Sequence, residues 1–153
     1  MMGVNIHQAC LQKNFAGDNR PMKILQPPGW PRPKGYSNGI SASGRLVVTG
    51  GIVGWNEQEE FPHNDMAGQA RVTFENIAAV LAEGDAKPDH MIRMTWYITS
   101  KKEYLASIKD IGSAYRDVFG KNFPAMAVVE VSALMENDAK IEIEVLAVVP
   151  EDK

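Results

Sequence analysis

Apolar residues recur with helical spacing in two long segments of the chain. The first stripe is Ala70, Phe74, Ile77 and Leu81, and the second is Tyr104, Ile108, Ile111, Tyr115 and Val118. Intervals of three and four residues place such side chains on one face of an α-helix. Asn64 or Asp65 can cap the start of the first helix, and Gly84 can end it. We therefore predict two amphipathic helices, the second over about 102–120, where Gly120 follows the stripe.

Five further segments carry the alternating or β-branched apolar pattern of β-strands. They cover residues 37–42, 45–53, 90–99, 125–134 and 140–149. The dipeptide Ser43-Gly44 between the first two is a turn signal, which predicts that they form a hairpin. Gly50 and Gly51 lie inside the second segment, where glycine usually marks a β-bulge or a close approach of backbone.

The predicted order of elements is β-β(-β)-α-β-α-β-β, which indicates an α+β fold. Two helices can cover only one face of a sheet of five or six strands. In the last strand, Leu146 and Val148 are apolar on the face opposite to Ile141. A strand that is apolar on both faces needs cover on both. We therefore expect further copies of the chain to cover the second face, in an oligomer closed by symmetry.

The composition indicates a single globular domain. The chain has 153 residues, of which 44% are apolar and 23% charged. Residues 1–21 are polar and without periodicity, so we predict an N-terminal extension at 1–21 and one domain over 22–153. The net charge of −3 argues against a broad nucleic-acid surface, which would carry a basic footprint.

Targeting and covalent features are few. The single cysteine, Cys10, excludes an internal disulfide framework. No run of roughly 18 apolar residues is present, so we expect no membrane span. The first 20 residues lack the apolar core of a signal peptide, which favours a cytoplasmic protein.

The common catalytic and cofactor motifs are absent from the sequence. The histidines His7, His63 and His90 are scattered without metal-ligand spacing. The glycine-rich run at 50–54 lacks the Lys-Ser/Thr of a phosphate-binding loop. We therefore expect neither a metal nor a cofactor.

Three glutamates in the last two strands are the strongest candidate chemistry. Glu130, Glu142 and Glu144 stand in strands, where acidic residues are depleted. If these strands pair, their carboxylates meet on one face. That face is either solvated and ion-paired, or it lines a cleft between subunits where a carboxylate does chemistry.

Several short motifs together resemble the RidA/YjgF family, also called the L-PSP or reactive intermediate deaminase family. The motifs are Gly35-Tyr36-Ser37, Leu46 to Gly51, Gln69 with Asn76, Tyr115 with Phe119, Phe123-Pro124-Ala125-Met126 and Ile141-Glu142-Ile143-Glu144. The resemblance runs from about Pro31 to Val149. It implies a chorismate-mutase-like α+β fold, with a sheet bearing two helices on one face, and a homotrimer whose sheets face inward.

The resemblance also implies a site in a cleft between two subunits. Its lining, carried over by position, is Tyr36, Gly51, Gly112, Met126, Val128 and Glu142. Family enzymes hold the substrate carboxylate with an arginine where this chain has Met126, and they commonly have cysteine where it has Val128. Gly112 replaces a position that can be asparagine. Glu142 remains as the residue that orients the attacking water.

Three functions are compatible with this set of residues. The first is hydrolysis of an enamine or imine with release of ammonia, on a substrate larger and more apolar than a simple 2-imino acid, since Met126 offers a carboxylate no charge. The second is a trimer that binds or senses a small molecule without turnover. The third, an endoribonuclease or translation inhibitor, is opposed by the acidic balance of the chain.

Overall fold

The structure, a computed structural model, describes residues 22–151. Seven strands and two long helices follow one another along this part of the chain. The strands are β1 (Met22–Ile24), β2 (Ile40–Ala42), β3 (Arg45–Val48), β4 (Ile52–Val53), β5 (Met91–Ile98), β6 (Ala125–Glu130) and β7 (Ile141–Val149), and the helices are α1 (Met66–Glu83) and α2 (Lys101–Phe119). The predicted extension at 1–21 lies outside the described residues.

Both helices form where the apolar stripes predict them. The Asp65 side chain caps α1 by accepting a hydrogen bond from the Gly68 N–H at 2.8 Å, and α1 ends at Gly84. Ser100 caps α2 in the same way, one residue earlier than the pattern suggested. Gly120 ends α2 with a positive φ of 67°, a conformation that favours glycine. Neither helix in the described part of the chain has an apolar stretch long enough to cross a bilayer.

The main sheet has the strand order β3-β7-β5-β6, and β4 also pairs with β7. β7 runs antiparallel to β3, β4 and β5, whereas β5 and β6 are parallel because α2 connects them. β1 and β2 form a separate two-stranded sheet. β7 therefore lies inside the sheet, with partners on both edges.

Both helices pack on the same face of this sheet, as predicted. Phe74 of α1 is fully buried, with ring centroids 5.4 Å from Trp96 of β5 and 5.5 Å from Tyr115 of α2. The inward residues of β7 complete this core: Ile141, Ile143, Val145 and Ala147 are all buried. The opposite face, which we call the open face, leaves Leu46 and Val48 each 57% exposed.

Gly50 and Gly51 interrupt the long strand predicted over 45–53. β3 ends with Val48 opposite Leu146, and β4 begins with Ile52 opposite Ile143. Between these two pairs, the segment 48–52 contains one more residue than the facing part of β7. This extra residue is the β-bulge that the glycines indicated.

Two details of the sequence prediction are wrong, and one pairing that it left open does not occur. β2 pairs with β1 and not with β3, so the expected hairpin around Ser43-Gly44 does not form. The strand predicted over 125–134 ends at Glu130. β6 and β7 do not pair, because β5 lies between them.

The strand order also separates the three glutamates. Glu130 lies opposite Ile98 on the helix-covered face, and its carboxylate accepts a hydrogen bond from the Lys101 N–H at the start of α2. Glu142 and Glu144 are on the open face, opposite Tyr97 and Thr95. The condition for the carboxylates to meet, pairing of β6 with β7, is therefore not fulfilled, and only Glu142 and Glu144 share a face.

Candidate functional site

A pocket of about 300 Å³ opens between α2 and the β6 side of the sheet. We call it the α2 pocket. Its walls include Trp96, Tyr104, Gly112, Arg116, Met126 and Lys34. The pocket lies there because Gly112 has no side chain to fill the space between α2 and β6. Two of the predicted site residues, Gly112 and Met126, thus line one cavity.

Arg116 lies beside Gly112 in this pocket. It follows Gly112 by four residues, which places both on the same side of α2. A Cβ atom added to Gly112 would lie 3.4 Å from Arg116 Nη1. Among the described residues, no hydrogen bond or ion pair engages the guanidinium, and Arg116 is exposed. The pocket therefore has an available positive charge on its α2 wall, although Met126 provides none.

Trp96, which lines the pocket, also has a buried hydrogen-bond donor without a partner. Trp96 is 3% exposed, and its Nε1–H makes no hydrogen bond within the described part of the chain. Its ring is held by Tyr104 in an edge contact and by Tyr115 in a stacked one. The Tyr115 hydroxyl is already engaged, since it donates to the Asn122 carbonyl. Burial raises the pKa of Tyr115, so the phenol stays protonated.

Tyr36 faces a neighbouring cavity of about 610 Å³. Gly35 and Phe123 line both this cavity and the α2 pocket, so the two lie side by side. The segment is held to the start of β6, because Ser37 Oγ donates to the Phe123 carbonyl at 2.6 Å. Tyr36 itself remains 44% exposed.

Glu142 and Gly51 are in direct contact on the open face. A Cβ atom added to Gly51 would overlap the Glu142 carboxylate, with Cδ only 2.8 Å away. The absence of that atom at the bulge lets the carboxylate fold against the backbone. Within residues 22–151, no hydrogen bond or ion pair engages the Glu142 carboxylate, which is half-buried.

The neighbouring carboxylate, Glu144, is engaged. Tyr97 donates its hydroxyl to Glu144 Oε1 at 2.8 Å. This hydrogen bond to an anion is the main reason why the pKa of Tyr97 is raised. Glu142, Glu144 and Tyr97 line a shallow hollow of about 350 Å³. Of the two open-face glutamates, Glu142 is therefore the one whose carboxylate has no hydrogen-bond or ion-pair partner among the described residues.

The structure thus brings the predicted site residues together in two groups. Gly112 and Met126 share the α2 pocket, with Tyr36 in the cavity beside it, whereas Gly51 and Glu142 meet on the opposite face of the sheet. Val128 projects on the same face as Met126, is 37% exposed and lines none of these cavities.

The sequence analysis missed two polar groups of the α2 pocket. Arg116 could have been found, because its i+4 relation to Gly112 is visible in the sequence. The free indole N–H of Trp96 could not, because only the packing shows whether a buried donor has a partner.

Comparison with known families agrees with the fold. The family model described as Endoribonuclease L-PSP matches residues 31–149. The chain belongs to this family, the RidA/YjgF family. The match begins and ends where the sequence resemblance does.

Individual relatives of this RidA/YjgF protein cover most of the chain. A RutC family protein of Pyrococcus abyssi is 33% identical over 118 residues, which cover 76% of this chain and 89% of the relative. A protein of Escherichia coli named 2-iminobutanoate/2-iminopropanoate deaminase is 27% identical over 138 residues, covering 90% of this chain and 98% of the relative.

Solved structures of Rid proteins share the fold. The Rid family protein YyfB of Yersinia pestis superposes with a TM-score of 0.74 at 25% identity, covering 85% of this chain and all of that one. The YjgF structure of E. coli gives a TM-score of 0.59 at 29% identity, covering 74% of this chain and 87% of that one. The α+β architecture predicted from the sequence is confirmed.

Proposed function

We propose that this protein is a homotrimer whose inter-subunit clefts bind a small molecule and hydrolyse an enamine or imine with release of ammonia. The observation that carries this proposal is the free Glu142 carboxylate held against Gly51. The naming of one E. coli relative as an imine deaminase supports the same class of reaction.

The separation of the two groups of site residues supports a site shared between subunits. Met126 and Gly112 are on the helix side of the sheet and Glu142 is on the open face. One protomer cannot bring both groups to the same ligand. A second copy that packs against the open face can place its own α2 pocket opposite the first copy's Glu142.

Hydrolysis of the C=N bond needs little more than an oriented water. In our proposal, Glu142 accepts a proton from water as the oxygen bonds to the imine carbon. The nitrogen first takes up the proton that Glu142 accepted, which gives the tetrahedral adduct. A second proton passes from the new hydroxyl to the nitrogen as the C–N bond breaks, so that ammonia leaves and a carbonyl product remains.

The substrate is expected to differ from a small 2-imino acid. The thioether of Met126 cannot hold a carboxylate as an arginine fork does. Tyr104, Trp96 and Met126 present apolar surface in the same pocket. A larger apolar enamine or imine therefore fits better than 2-iminopropanoate.

Ammonia release tests the reaction directly. Freshly generated imines, small and aromatic, are offered to the wild type, to Glu142→Gln and to the matched variant Glu144→Gln. We expect turnover of aromatic imines by wild type and Glu144→Gln, and loss of turnover in Glu142→Gln. Turnover that survives Glu142→Gln would overturn the assignment.

Met126→Arg tests the role of the missing charge. A charge-assisted bidentate contact contributes roughly 1.5–3 kcal/mol, or ~10–150-fold in affinity. We expect Met126→Arg to lower the KM for 2-iminopropanoate by a factor in that range. An unchanged KM would show that position 126 does not face the substrate.

A second candidate function, binding without turnover, is favoured by the uncharged Met126 alone. It predicts saturable binding of an apolar ligand with no ammonia released from any imine.

An endoribonuclease remains disfavoured by the net charge of −3. RNA cleavage that survives repurification and falls with salt would revive it.

The assembly is tested separately. Sedimentation equilibrium at micromolar concentration should give about three times the 16.8 kDa mass of the chain. A stable monomer would exclude the shared site.

A further inference from the structure

The cavity of about 610 Å³ beside the α2 pocket has positively charged residues in its wall and no negatively charged ones. We call it the loop cavity, because the proline-rich loop between β1 and β2 forms much of its wall. Arg32 and Lys121 line it, whereas none of the described residues around it is an aspartate or a glutamate. The whole chain has a net charge of −3, so this wall differs from the rest of the molecule. A concave surface of one sign attracts ligands of the opposite sign.

Neither cation of the loop cavity is paired within residues 22–151. Arg32 and Lys121 are both exposed, and their side chains make no hydrogen bond or ion pair in that range. Other basic residues of the chain are engaged, since Arg71 pairs with Asp117 at 2.6 Å. An anionic ligand would therefore meet both charges of the cavity without displacing a carboxylate of the protein.

The loop that forms the cavity is held in place by hydrogen bonds. The Gln26 amide donates to the Trp30 carbonyl at 3.0 Å and accepts from Asn38 Nδ2 at 2.9 Å, which closes the loop on itself. The Ser37 N–H donates to the Pro124 carbonyl at 3.0 Å, which ties the end of the loop to the start of β6. The four prolines of the loop restrict its backbone further. A cavity with fixed walls loses less conformational entropy when it binds a ligand.

The uncharged part of the wall is mainly apolar and aromatic. Ile24 and Pro33 line the loop cavity together with Tyr36 and Phe123. The Phe123 ring is held by Tyr115, whose ring lies nearly parallel to it with the centroids 5.5 Å apart. The volume of about 610 Å³ is in the middle of the range of small-ligand sites, roughly 300–1,000 Å³. The cavity therefore has space for a ring system as well as for an anionic group.

We propose that the loop cavity binds a phosphomonoester of an aromatic molecule. Arg32 and Lys121 bind the phosphate, and the aromatic ring packs against Tyr36 and Phe123. A phosphomonoester carries a charge of about −1.5 to −2 at pH 7, which matches two cations, whereas a carboxylate leaves one of them unmatched. Inorganic phosphate matches the charge but leaves the apolar wall in contact with water. This site uses neither Glu142 nor the α2 pocket, so it is independent of the proposed hydrolysis.

Four related probes test the ligand class. The probe 1-naphthyl phosphate has the ring and the doubly charged group, 1-naphthoate has one charge, 1-naphthol has none, and inorganic phosphate lacks the ring. We expect 1-naphthyl phosphate to bind about tenfold or more tightly than each of the others, measured by calorimetry on the full-length protein. Equal binding of 1-naphthoate, or of inorganic phosphate, would overturn the proposal, as would absence of binding of 1-naphthyl phosphate.

Two variants isolate the phosphate contacts. Arg32→Gln and Lys121→Gln should each weaken 1-naphthyl phosphate about tenfold and leave 1-naphthol unchanged. Lys109→Gln is the matched control, because it removes an exposed charge of α2 that lies outside both cavities. Equal losses in Lys109→Gln and in the two cavity variants would indicate general electrostatics and overturn the assignment.

Nuclear magnetic resonance locates the bound probe. Titration with 1-naphthyl phosphate should shift the backbone amide signals of Ser37 and Lys121, which line the loop cavity only. The signals of Ile108 and Gly112, which line the α2 pocket only, should shift much less. The reverse pattern would place the ligand in the α2 pocket and overturn the proposal.

Two nucleotide probes identify the source of the phosphate. Adenosine 5′-monophosphate that binds more tightly than 1-naphthyl phosphate would assign the cavity to a nucleotide, and weaker binding would assign it to another aromatic phosphate. A 5′-phosphorylated RNA oligomer should bind no more tightly than adenosine 5′-monophosphate, because the loop cavity offers only two cations to a phosphate backbone. An RNA oligomer that binds more than about tenfold more tightly would replace the small-molecule site by a nucleic-acid surface and overturn the proposal.

Discussion

At the scale of single residues, Gly51 controls the position of the Glu142 carboxylate. An alanine methyl group there would overlap the end of the Glu142 side chain. Because that end is flexible, the carboxylate can swing away at small cost to the fold. Gly51 thus matters for where a charge lies and only slightly for stability.

Gly51→Ala should therefore separate activity from stability. We expect the melting temperature to change by a few degrees at most, while turnover falls at least tenfold because the carboxylate has moved. Gly50→Ala is the matched control, since a Cβ at Gly50 would have no atom within 4 Å. Equal losses in the two variants would contradict the role given to Gly51.

Three tyrosines with raised pKa values should make the free energy of unfolding decrease at alkaline pH. The hydrogen bond to Glu144 raises the pKa of Tyr97, and burial raises the pKa of Tyr104 and Tyr115. Unfolded tyrosines ionise near pH 10. Above that pH the unfolded chain loses protons that the native protein keeps, so the free energy of unfolding decreases as pH rises.

Urea unfolding between about pH 9 and about pH 11 measures this slope. We expect stability to be flat at the lower end and to fall beyond about pH 10, through the raised native pKa values. Tyr97→Phe removes one of the three groups and should make the fall less steep. A slope that does not change would mean that the Tyr97–Glu144 hydrogen bond does not persist in solution.

At the scale of elements, Gln69 joins α1 to two loops. Its side chain is buried and donates to the carbonyls of His63 and Asp138, while its oxygen accepts from the Lys140 N–H at 2.8 Å. Asn76, about two turns further along α1, donates to the carbonyls of Val53 and Trp55. Gln69 and Asn76, two residues on which the family resemblance rests, therefore have a structural role: their hydrogen bonds hold α1 to the neighbouring loops and to β4.

Gln69→Leu should destabilise the protein by about 2–4 kcal/mol, because it leaves three backbone groups without a partner. Chemical denaturation measures the loss. The exposed Gln58 offers a matched control, and Gln58→Leu should stay within about 0.5 kcal/mol of wild type. A small effect of Gln69→Leu would mean that water replaces the amide.

At the scale of the whole molecule, the open face of the sheet leaves apolar surface exposed. Leu46 and Val48 project from β3 beside Val148 and Leu146 of β7, and both are more than half exposed. Exposed apolar patches of this kind mark interfaces. This is the surface that the proposed trimer would bury.

Val48→Lys should therefore dissociate the assembly, because a lysine on a buried interface leaves an unpaired charge without water. We expect the sedimenting mass to fall towards that of one chain, with the far-ultraviolet circular dichroism unchanged. Val80→Lys adds the same charge at an exposed position of α1 and should leave the mass as in wild type. A Val48→Lys protein that keeps the wild-type mass would place the interface elsewhere.

Much of this protein is determined by local sequence pattern. The Phe74 and Tyr115 stripes specify both helices, because a helix must bury one face whatever it packs against. Local hydrogen bonding and backbone conformation fix where the helices begin and end: Asp65 caps the start of α1, and Gly84 and Gly120 follow the last residues of α1 and α2. The glycines at 50 and 51 predicted the bulge for the same reason: a residue without a side chain permits backbone conformations and close approaches wherever it occurs.

Only the tertiary structure decided how the strands are ordered and which polar groups meet. The alternation of side chains along β6 and β7, which hold Glu130 and Glu142, is the same in every possible strand order. The sequence therefore could not show that β5 separates these two strands. The contact between Gly51 and Glu142 joins residues far apart in the chain, and the free Trp96 N–H is defined by neighbours that α2 and β6 supply. Such long-range contacts depend on the packing of the whole chain, which local periodicity does not encode.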